Sequence, residues 1–337
     1  MGRNNKKYSK SLSMQVHEEL SSMACYNESK KEAKINGTMG GKIFSYRTFE
    51  TYKERCMSFV GYIETNHPEC TTLKAARKHV LEYFSYRESL NLSAWTLHNE
   101  KSAVNKLLHI TKDDEDYYHP PFRNRANIKR SRYKVASDIF YSVKNNELFS
   151  RYCESSGQRR DEVKHAKRKH LMTRQQIIKE KEELEKAHMN NQQYRRWVIL
   201  SEALMFDEEY FLYTKGKGGR ERIHPIVGEH AREVVDYILS LKDPEEKIWK
   251  RVPEHADIHA YRAEYAKKVY EKYARPLEEI PYDAVHKGIN QRYQSEVYHC
   301  RKDGRGKNLD KRAMLYASKA LGHNRICVVA DNYLWKL

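Results

Sequence analysis

The sequence lacks the features that mark membrane and exported proteins. Hydrophobic residues make up 39% of the 337 residues, and none of their runs approaches the ~18 consecutive residues that a transmembrane helix needs. No apolar segment follows the basic and amide residues at the start of the sequence, which argues against a secretory signal. We therefore expect no membrane association and predict a cytoplasmic location.

Cysteine and proline are also scarce. The six cysteines form no C-x-x-C pair, and none lies at zinc-finger spacing from histidine. Reduced thiols are the simplest interpretation, and the sequence predicts no metal site. With only eight prolines and 25 tyrosines, the chain resembles a folded body more than a disordered tail.

Positive charge is what the sequence has in excess. Lys and Arg total 63 against 46 Asp and Glu, so the formal net charge is +17. A surplus of this size favours a polyanionic partner, which could be DNA, RNA or an anionic membrane. The alternative is a basic soluble protein that has no polyanionic partner. We favour a nucleic acid as the partner.

Hydrophobic periodicity divides the chain into four segments. Residues 1–43 form a basic N-terminal extension with a helix within 11–34, and residues 44–112 form a small helical domain. Residues 113–134 form a basic linker, and residues 135–337 form one larger domain. Helices are predicted near 145–155, 168–196, 229–241, 258–273 and 311–321, and β-hairpins near 210–226 and 295–307. The predicted fold class is mostly α with a small antiparallel β-sheet.

Four short segments in the larger domain carry side chains suited to phosphate chemistry. They are SGQRRDE at 156–162, GKGGRERIHP at 216–225, HAYRAEYA at 259–266, and LGH at 321–323, with Tyr333 ten residues after His323. Each one alone is more often a surface segment, a turn or core packing than a site. Their order along the chain is what makes them informative.

Together these segments resemble the tyrosine recombinase (phage integrase) family over roughly residues 44–337. That family has a T-G-L-R-x-x-E box, a lysine in a G-K-G hairpin, an H-x-x-R box, and an L-G-H box followed by a nucleophilic tyrosine. The matching residues here are Arg159, Lys217, His259, Arg262, His323 and Tyr333. The helices of residues 44–112 resemble the core-binding domain of the family, and the larger domain resembles its catalytic domain.

The resemblance implies a role for each matched residue. Arg159 and Arg262 would bind the non-bridging oxygens of a DNA phosphate and stabilise the charge that develops there. Tyr333 would attack the phosphorus and form a 3′-phosphotyrosyl intermediate. His259 is the candidate acceptor for its phenolic proton.

The two remaining matched residues would complete this chemistry. Lys217 would protonate the leaving 5′ oxygen, and His323 would hydrogen-bond the phosphate. Because the covalent link retains the energy needed to rejoin the strand, the resemblance implies neither ATP nor a metal, and no cofactor.

Basic residues outside these boxes are candidates for binding the DNA backbone. In the linker they are Arg123, Arg125, Lys129, Arg130 and Arg132, and in the second hairpin Arg301, Lys302 and Arg305. For the linker, a solvated loop is an equally good interpretation.

The H-x-x-R box has two rivals. His165 and Arg168 fit the pattern but precede the lysine hairpin, and Tyr298 to Arg301 reads Y-x-x-R. Choosing Arg262 leaves a longer interval before the L-G-H box than the family usually has, so we infer an insertion at about 277–310. Residues 1–43 are also too short for a full arm-binding domain, and only four residues follow Tyr333.

The resemblance implies a site-specific recombinase or integrase of a prophage or integrative mobile element. Its partners would be double-stranded DNA, a homotetramer assembled on that DNA, and accessory DNA-bending proteins. A type IB topoisomerase-like enzyme, a catalytically inactive DNA-binding relative and an RNA-binding protein are the alternatives.

Overall fold

The computed structural model of the chain describes residues 10–124, 126–128, 141–186, 188–216, 219–280, 296–301, 304–323 and 325–334. It consists of two compact units, residues 1–131 and 132–337. The boundary between them falls within the predicted linker segment 113–134. Among the described residues, no helix is both long and apolar enough to cross a membrane.

The first unit is helical. Its helices are α1 (Leu12–Ser22), α2 (Lys30–Ile35), α3 (Tyr46–Asn66), α4 (Leu73–Ala76), α5 (Val80–Ser89) and α6 (Ala94–Leu107), and a 3₁₀ turn, Arg77–His79, links α4 to α5. The helices α1, α2, α3 and α4 begin at serine or threonine caps, whose hydroxyls accept a hydrogen bond from an amide of the first turn.

One hydrophobic core fills the first unit. The apolar face of α3 is buried in it, including Phe49, Phe59 and Ile63, and α1 contributes Val16 and Leu20 to the same core. The helix expected within 11–34 is in fact two helices, α1 and α2.

The described residues of the second unit form a mostly α structure with two small sheets. Its helices are α7 (Glu147–Ser156), α8 (Arg160–His165), α9 (Arg174–Glu185), α10 (Asn191–Ala203), α11 (Ala231–Ser240), α12 (Ile258–Tyr273), α13 (Lys311–Ala320) and α14 (Ile326–Asn332). Its strands are β1 (Leu171–Thr173), β2 (Tyr210–Lys215), β3 (Glu221–Pro225), β4 (Val297–His299) and β5 (Asn308–Asp310).

Both sheets are antiparallel. The first has the strand order β1-β2-β3, and β4 pairs with β5 in the second. The predicted fold class, mostly α with a small antiparallel β-sheet, is confirmed.

The single polar helix predicted over 168–196 is wrong. Leu171–Thr173 forms strand β1 instead, and separate helices begin after Thr173 and Asn190. Both residues cap their helices reciprocally with a glutamine three positions later, Gln176 and Gln193. A strand of three residues depends on its partner β2, so the local sequence does not reveal it.

Helix α12 lies at the centre of the second unit. It packs against α13 and α7, and its residues Tyr265, Ala266 and Val269 are fully buried in the core that α10, β2 and α13 share. Helix α7 ends at Gly157 in the left-handed conformation typical of a glycine C-cap, with φ of 58°. The residues that follow α7 and α13, Gly157 and Leu321, are both hydrogen-bonded by Arg262 of α12.

Candidate active site

The centre of the site is Arg262, whose side chain is fully buried. Asp257 caps α12 by accepting a hydrogen bond from the amide of Ala260 at 3.0 Å. From that start, helical spacing places Arg262 on the same inward face as Ile258 and Tyr265. The guanidinium is thus carried into the interior by the periodicity of the helix itself.

Arg262 connects three elements through its donors. Its Nη1 donates to the carbonyl of Gly157, and its Nη2 donates to the carbonyl of Leu321 at 2.5 Å. These carbonyls belong to the residues that end α7 and α13. Carbonyl groups at the C-terminal end of a helix lack partners within it and carry partial negative charge. Its Nε lies 3.4 Å from the hydroxyl oxygen of Tyr333.

Burial acts against the charge of Arg262. It lowers the pKa of the guanidinium to about 10, with repulsion from Arg222 as the next cause. The group therefore stays protonated at neutral pH, inside a site where positive charge is unfavourable unless an anion compensates it.

Glu162 is the carboxylate that organises the neighbouring arginines. It accepts hydrogen bonds from both terminal nitrogens of Arg222, at 3.0 and 2.8 Å. It also accepts from Nη1 of Arg159 at 2.8 Å and from the amide of Arg159 at 2.7 Å. Burial alone would raise the pKa of Glu162, but the hydrogen bonds and charge of Arg222 outweigh it and hold this pKa well below its usual range.

Sequence reasoning missed Arg222. It lies on β3 and is almost fully buried, and its Nε donates to the carbonyl of Ala320 at 3.2 Å. The only signal in the sequence is that Arg222 is one of the basic residues after the G-K-G turn, and such residues are usually exposed.

Two glycines of the motifs allow close contact with these charged groups. Gly322 has φ of +70°, and a Cβ there would lie 2.9 Å from Cδ of Arg222. A Cβ on Gly216 would lie 2.6 Å from Oε1 of Glu162. Any larger residue at either position would displace the cluster formed by Arg159, Glu162 and Arg222.

Tyr333 and His323 complete the site. Tyr333 directly follows α14, and its hydroxyl oxygen lies 3.4 Å from Nε2 of His323. The amide of His323 donates to the carbonyl of Ser318 at 2.8 Å, which fixes the segment after α13. Burial and, next, the charge of Arg262 lower the pKa of His323 to about 4. The imidazole is therefore neutral at pH 7, and Nε2 can accept a hydrogen bond from the tyrosine.

The charges around this site do not balance. Among the described residues of the cluster, one carboxylate, Glu162, faces the guanidinium groups of Arg159, Arg222 and Arg262. The side chain of Arg159 is 31% exposed, so the cluster reaches solvent through this residue. Such an arrangement is suited to binding an anion, and planar guanidinium forks match the oxygens of a phosphate.

His259 and Lys217, the two other candidate catalytic residues, are not among the described hydrogen-bond partners of the Tyr333 hydroxyl. His259 is exposed on the first turn of α12. Among the described residues, the hydrogen-bond partners of the Tyr333 hydroxyl are Arg262 and His323, and His259 is not one of them. Lys217 lies outside the described residues, although its neighbour Gly216 packs against Glu162.

The candidate DNA-binding residues are on the surface where they are described. Arg123 is exposed in the first unit, with its guanidinium 4.6 Å from the ring centre of Trp95. Arg301 and Arg305 are exposed in the connection between β4 and β5. The remaining predicted residues lie outside the described part of the chain: Arg125, Lys129, Arg130, Arg132 and Lys302.

Among the described residues, no residue of the two rival H-x-x-R boxes hydrogen-bonds the Tyr333 hydroxyl. His165 is exposed at the end of α8, and Arg301 is exposed beyond β4. Arg262 is the residue that hydrogen-bonds the tyrosine hydroxyl.

Comparisons with known proteins yield a structural likeness. No family model matches the chain, and no curated protein matches it. Among solved structures, the chain is similar to the XerH site-specific recombinase bound to palindromic difH substrate in a post-cleavage complex. The likeness covers 95% of this chain and 90% of that chain, with 12% sequence identity and a TM-score of 0.34. Because the TM-score and the identity are both low, this likeness assigns no function to the chain.

Proposed function

We propose that this protein is a site-specific DNA strand transferase of the tyrosine recombinase type. The observation that carries the proposal is the position of the Tyr333 hydroxyl, 3.4 Å from Nε of Arg262 and 3.4 Å from Nε2 of His323. A phenol at the edge of a cationic cluster is placed to attack an anion that the cluster binds. The order of the four sequence segments supports the same function.

The arginine cluster would bind the scissile phosphodiester. Attack on phosphorus increases the charge on the non-bridging oxygens, and guanidinium donors held in advance stabilise that charge. Arg159 would reach the phosphate from the solvent side and Arg262 from the buried side. Glu162 would act as a positioning residue, since its hydrogen bonds fix Arg159 and Arg222.

In the first step, the oxygen of Tyr333 forms a bond to phosphorus while the bond from phosphorus to the 5′ oxygen breaks. The Tyr333 proton passes to an acceptor, and the geometry favours neutral His323 because its Nε2 already lies beside the hydroxyl. His259 stays a prediction for this role. Lys217 stays the predicted donor of a proton to the leaving 5′ oxygen.

Rejoining reverses these steps with a 5′-hydroxyl from another strand, so the reaction needs no external energy source. We propose double-stranded DNA as substrate, a homotetramer assembled on it, and integration or excision of a prophage or integrative element as the setting. Accessory DNA-bending proteins would assist the assembly. The net charge of +17 supports a DNA partner.

Trapping the covalent intermediate tests the proposal. The substrates are nicked duplexes that cover the DNA flanking the gene for this protein. Cleavage releases a short 5′-hydroxyl fragment, so rejoining is prevented and the covalent adduct accumulates. We expect an SDS-stable protein–DNA adduct with the wild type and none with Tyr333→Phe, because the substitution removes the attacking oxygen. Tyr194→Phe is the matched control, since Tyr194 is an exposed tyrosine of the same unit.

Other outcomes of this experiment would contradict the proposal or favour an alternative function. An adduct that persists in Tyr333→Phe would overturn the assignment of the nucleophile. Tight, salt-sensitive DNA binding with no adduct from any fragment would indicate an inactive DNA-binding relative. Relaxation of supercoiled plasmid without strand exchange would indicate a topoisomerase-like enzyme.

A further inference from the structure

A second group of chemically active side chains lies in the first unit, where α3 ends and α5 begins. It comprises His67, Glu69, His79, Glu82 and Tyr62. One ligand atom from each of His67, Glu69 and His79 lies within 4.8 Å of the other two. The imidazole rings of His67 and His79 stack, with centroids 3.5 Å apart and planes 21° apart.

Glu82 holds both imidazoles from one side. Its carboxylate lies 3.1 Å from Nε2 of His67 and 3.1 Å from Nδ1 of His79, and it accepts a hydrogen bond from the hydroxyl of Tyr62 at 2.7 Å. A carboxylate that accepts from a ring nitrogen fixes the tautomer and the orientation of that ring. This is the arrangement that commonly lies behind the histidine ligands of a metal ion.

The fixed tautomers leave one lone pair on each ring. With Nε2 of His67 and Nδ1 of His79 donating to Glu82, the lone pairs are on Nδ1 of His67 and Nε2 of His79. Nδ1 of His67 lies 3.7 Å from Oε1 of Glu69. A cation placed among these acceptor atoms would be attracted by all of them.

We propose that His67, Glu69 and His79 form a zinc-binding site, with water as a fourth ligand. Two imidazole nitrogens and one carboxylate oxygen are a donor set that Zn²⁺ accepts in tetrahedral geometry. The two stacked rings must turn apart for both in-plane lone pairs to point at one ion. Glu82 is not a ligand in this proposal but orients both histidines. The sequence did not predict the site because its ligands have no zinc-finger spacing and come from separate elements.

The proposed ion would join two elements of the first unit. His67 is the C-cap of α3, and His79 ends the 3₁₀ turn that leads into α5. Bound zinc would therefore close the loop of residues 68–78 and stabilise the packing of α3 against α5. Its role is structural and independent of the arginine cluster in the second unit.

Calorimetric titration of the metal-stripped full chain with zinc chloride tests the site. We expect one zinc ion per chain, and we expect His67→Gln combined with His79→Gln to weaken binding by at least about 100-fold. Glu82→Gln should weaken it by about 10- to 100-fold, because an orienting carboxylate has effects of that order. His109→Gln is the control, since His109 is an exposed histidine of the same unit whose hydrogen-bond partner is Glu19.

Two results would overturn the proposal: no zinc bound by the wild type, or equal affinity in the double variant. X-ray absorption on the zinc-loaded wild type needs no variant, so it decides the question even if the double variant fails to fold. We expect two imidazole nitrogens and further oxygen ligands around the ion. Sulfur ligands would place the zinc at cysteines instead and would refute the site.

Discussion

Each unit of the molecule has an arginine whose side chain is mostly or fully buried, 17% exposed for Arg87 and 0% for Arg262, but the two are compensated differently. In the first unit, Arg87 donates from Nε and Nη2 to the fully buried carboxylate of Glu100, at 2.9 and 2.6 Å. In the second unit, the fully buried Arg262 donates to two backbone carbonyls and to the hydroxyl of Tyr333. The first arginine has a full counter-charge, and the second has none in direct contact among the described residues.

The difference separates a structural ion pair in the first unit from the anion-binding site that we propose in the second. A buried bidentate pair satisfies both of its charges, so it gains little from further ligands. A buried guanidinium held by neutral carbonyls keeps its positive potential and favours an incoming anion. The second unit thus has unfavourable electrostatics in the free protein that binding of a phosphate would relieve.

The largest effect is expected from Arg262→Ala. Removing one donor of a prearranged electrostatic site commonly lowers the rate by about 10²- to 10³-fold, and we expect adduct formation on nicked duplexes to fall by that amount. Arg301→Ala, at an exposed position, should weaken DNA binding and retain cleavage. Loss of cleavage in Arg301→Ala with cleavage retained in Arg262→Ala would assign the catalytic role to Arg301. It would also contradict the distinction drawn here between Arg262 and Arg87.

Glu100→Gln should destabilise the first unit by about 3–5 kcal/mol, because it leaves the charge of Arg87 without its buried partner. Urea unfolding followed by circular dichroism measures the change. The control is Arg232→Ala, which removes an exposed pair with Asp236 and should change the free energy of unfolding by about 0.5 kcal/mol or less. Equal effects for the two variants would show that the pair in the first unit is not structural.

An added anion should stabilise the second unit selectively. Inorganic sulfate at about 100 times its dissociation constant would add about 2.7 kcal/mol to the free energy of unfolding through binding to the native state. Thermal unfolding in sodium sulfate, compared with sodium chloride of equal ionic strength, measures the selective part. Equal stabilisation of both units by sulfate would contradict the distinction between them.

The smallest expected effect is the loss of stability of the second unit at low pH, through protonation of Asp310. Burial would raise the pKa of Asp310, but hydrogen bonds from Arg275 outweigh it and lower this pKa from 3.8 to about 2. A carboxyl group whose pKa is lower in the folded state stabilises that state at any pH above its pKa in the unfolded chain. This stabilisation is lost as the pH falls to the pKa of the folded state. Its size is of order 2 kcal/mol.

We therefore expect the second unit to lose stability between about pH 4 and pH 2, as followed by fluorescence during acid titration. Asp310→Asn should be less stable at pH 7 and should lose less over that interval. If the variant has the same acid profile as the wild type, Asp310 does not contribute to this loss.

Local chain chemistry was enough to predict many of the elements. Helix α12 occupies the predicted residues 258–273, and the hairpin of β2 and β3 lies within 210–226. Apolar spacing and a glycine-rich turn act over a few residues, so the sequence displays them directly. Strand β1 was missed because its three residues depend on pairing with β2, which is distant in the chain.

The sequence by itself determined the order of the motifs, the excess of positive charge and the bounds of the helix that carries Arg262. Only the tertiary structure decided that Arg222 pairs with Glu162, 60 positions away, and that His323 is the histidine beside the Tyr333 hydroxyl. The same holds for the grouping of His67, Glu69 and His79. Periodicity and caps are set by near neighbours in the chain, whereas burial and charge pairing depend on which distant segments the core brings together.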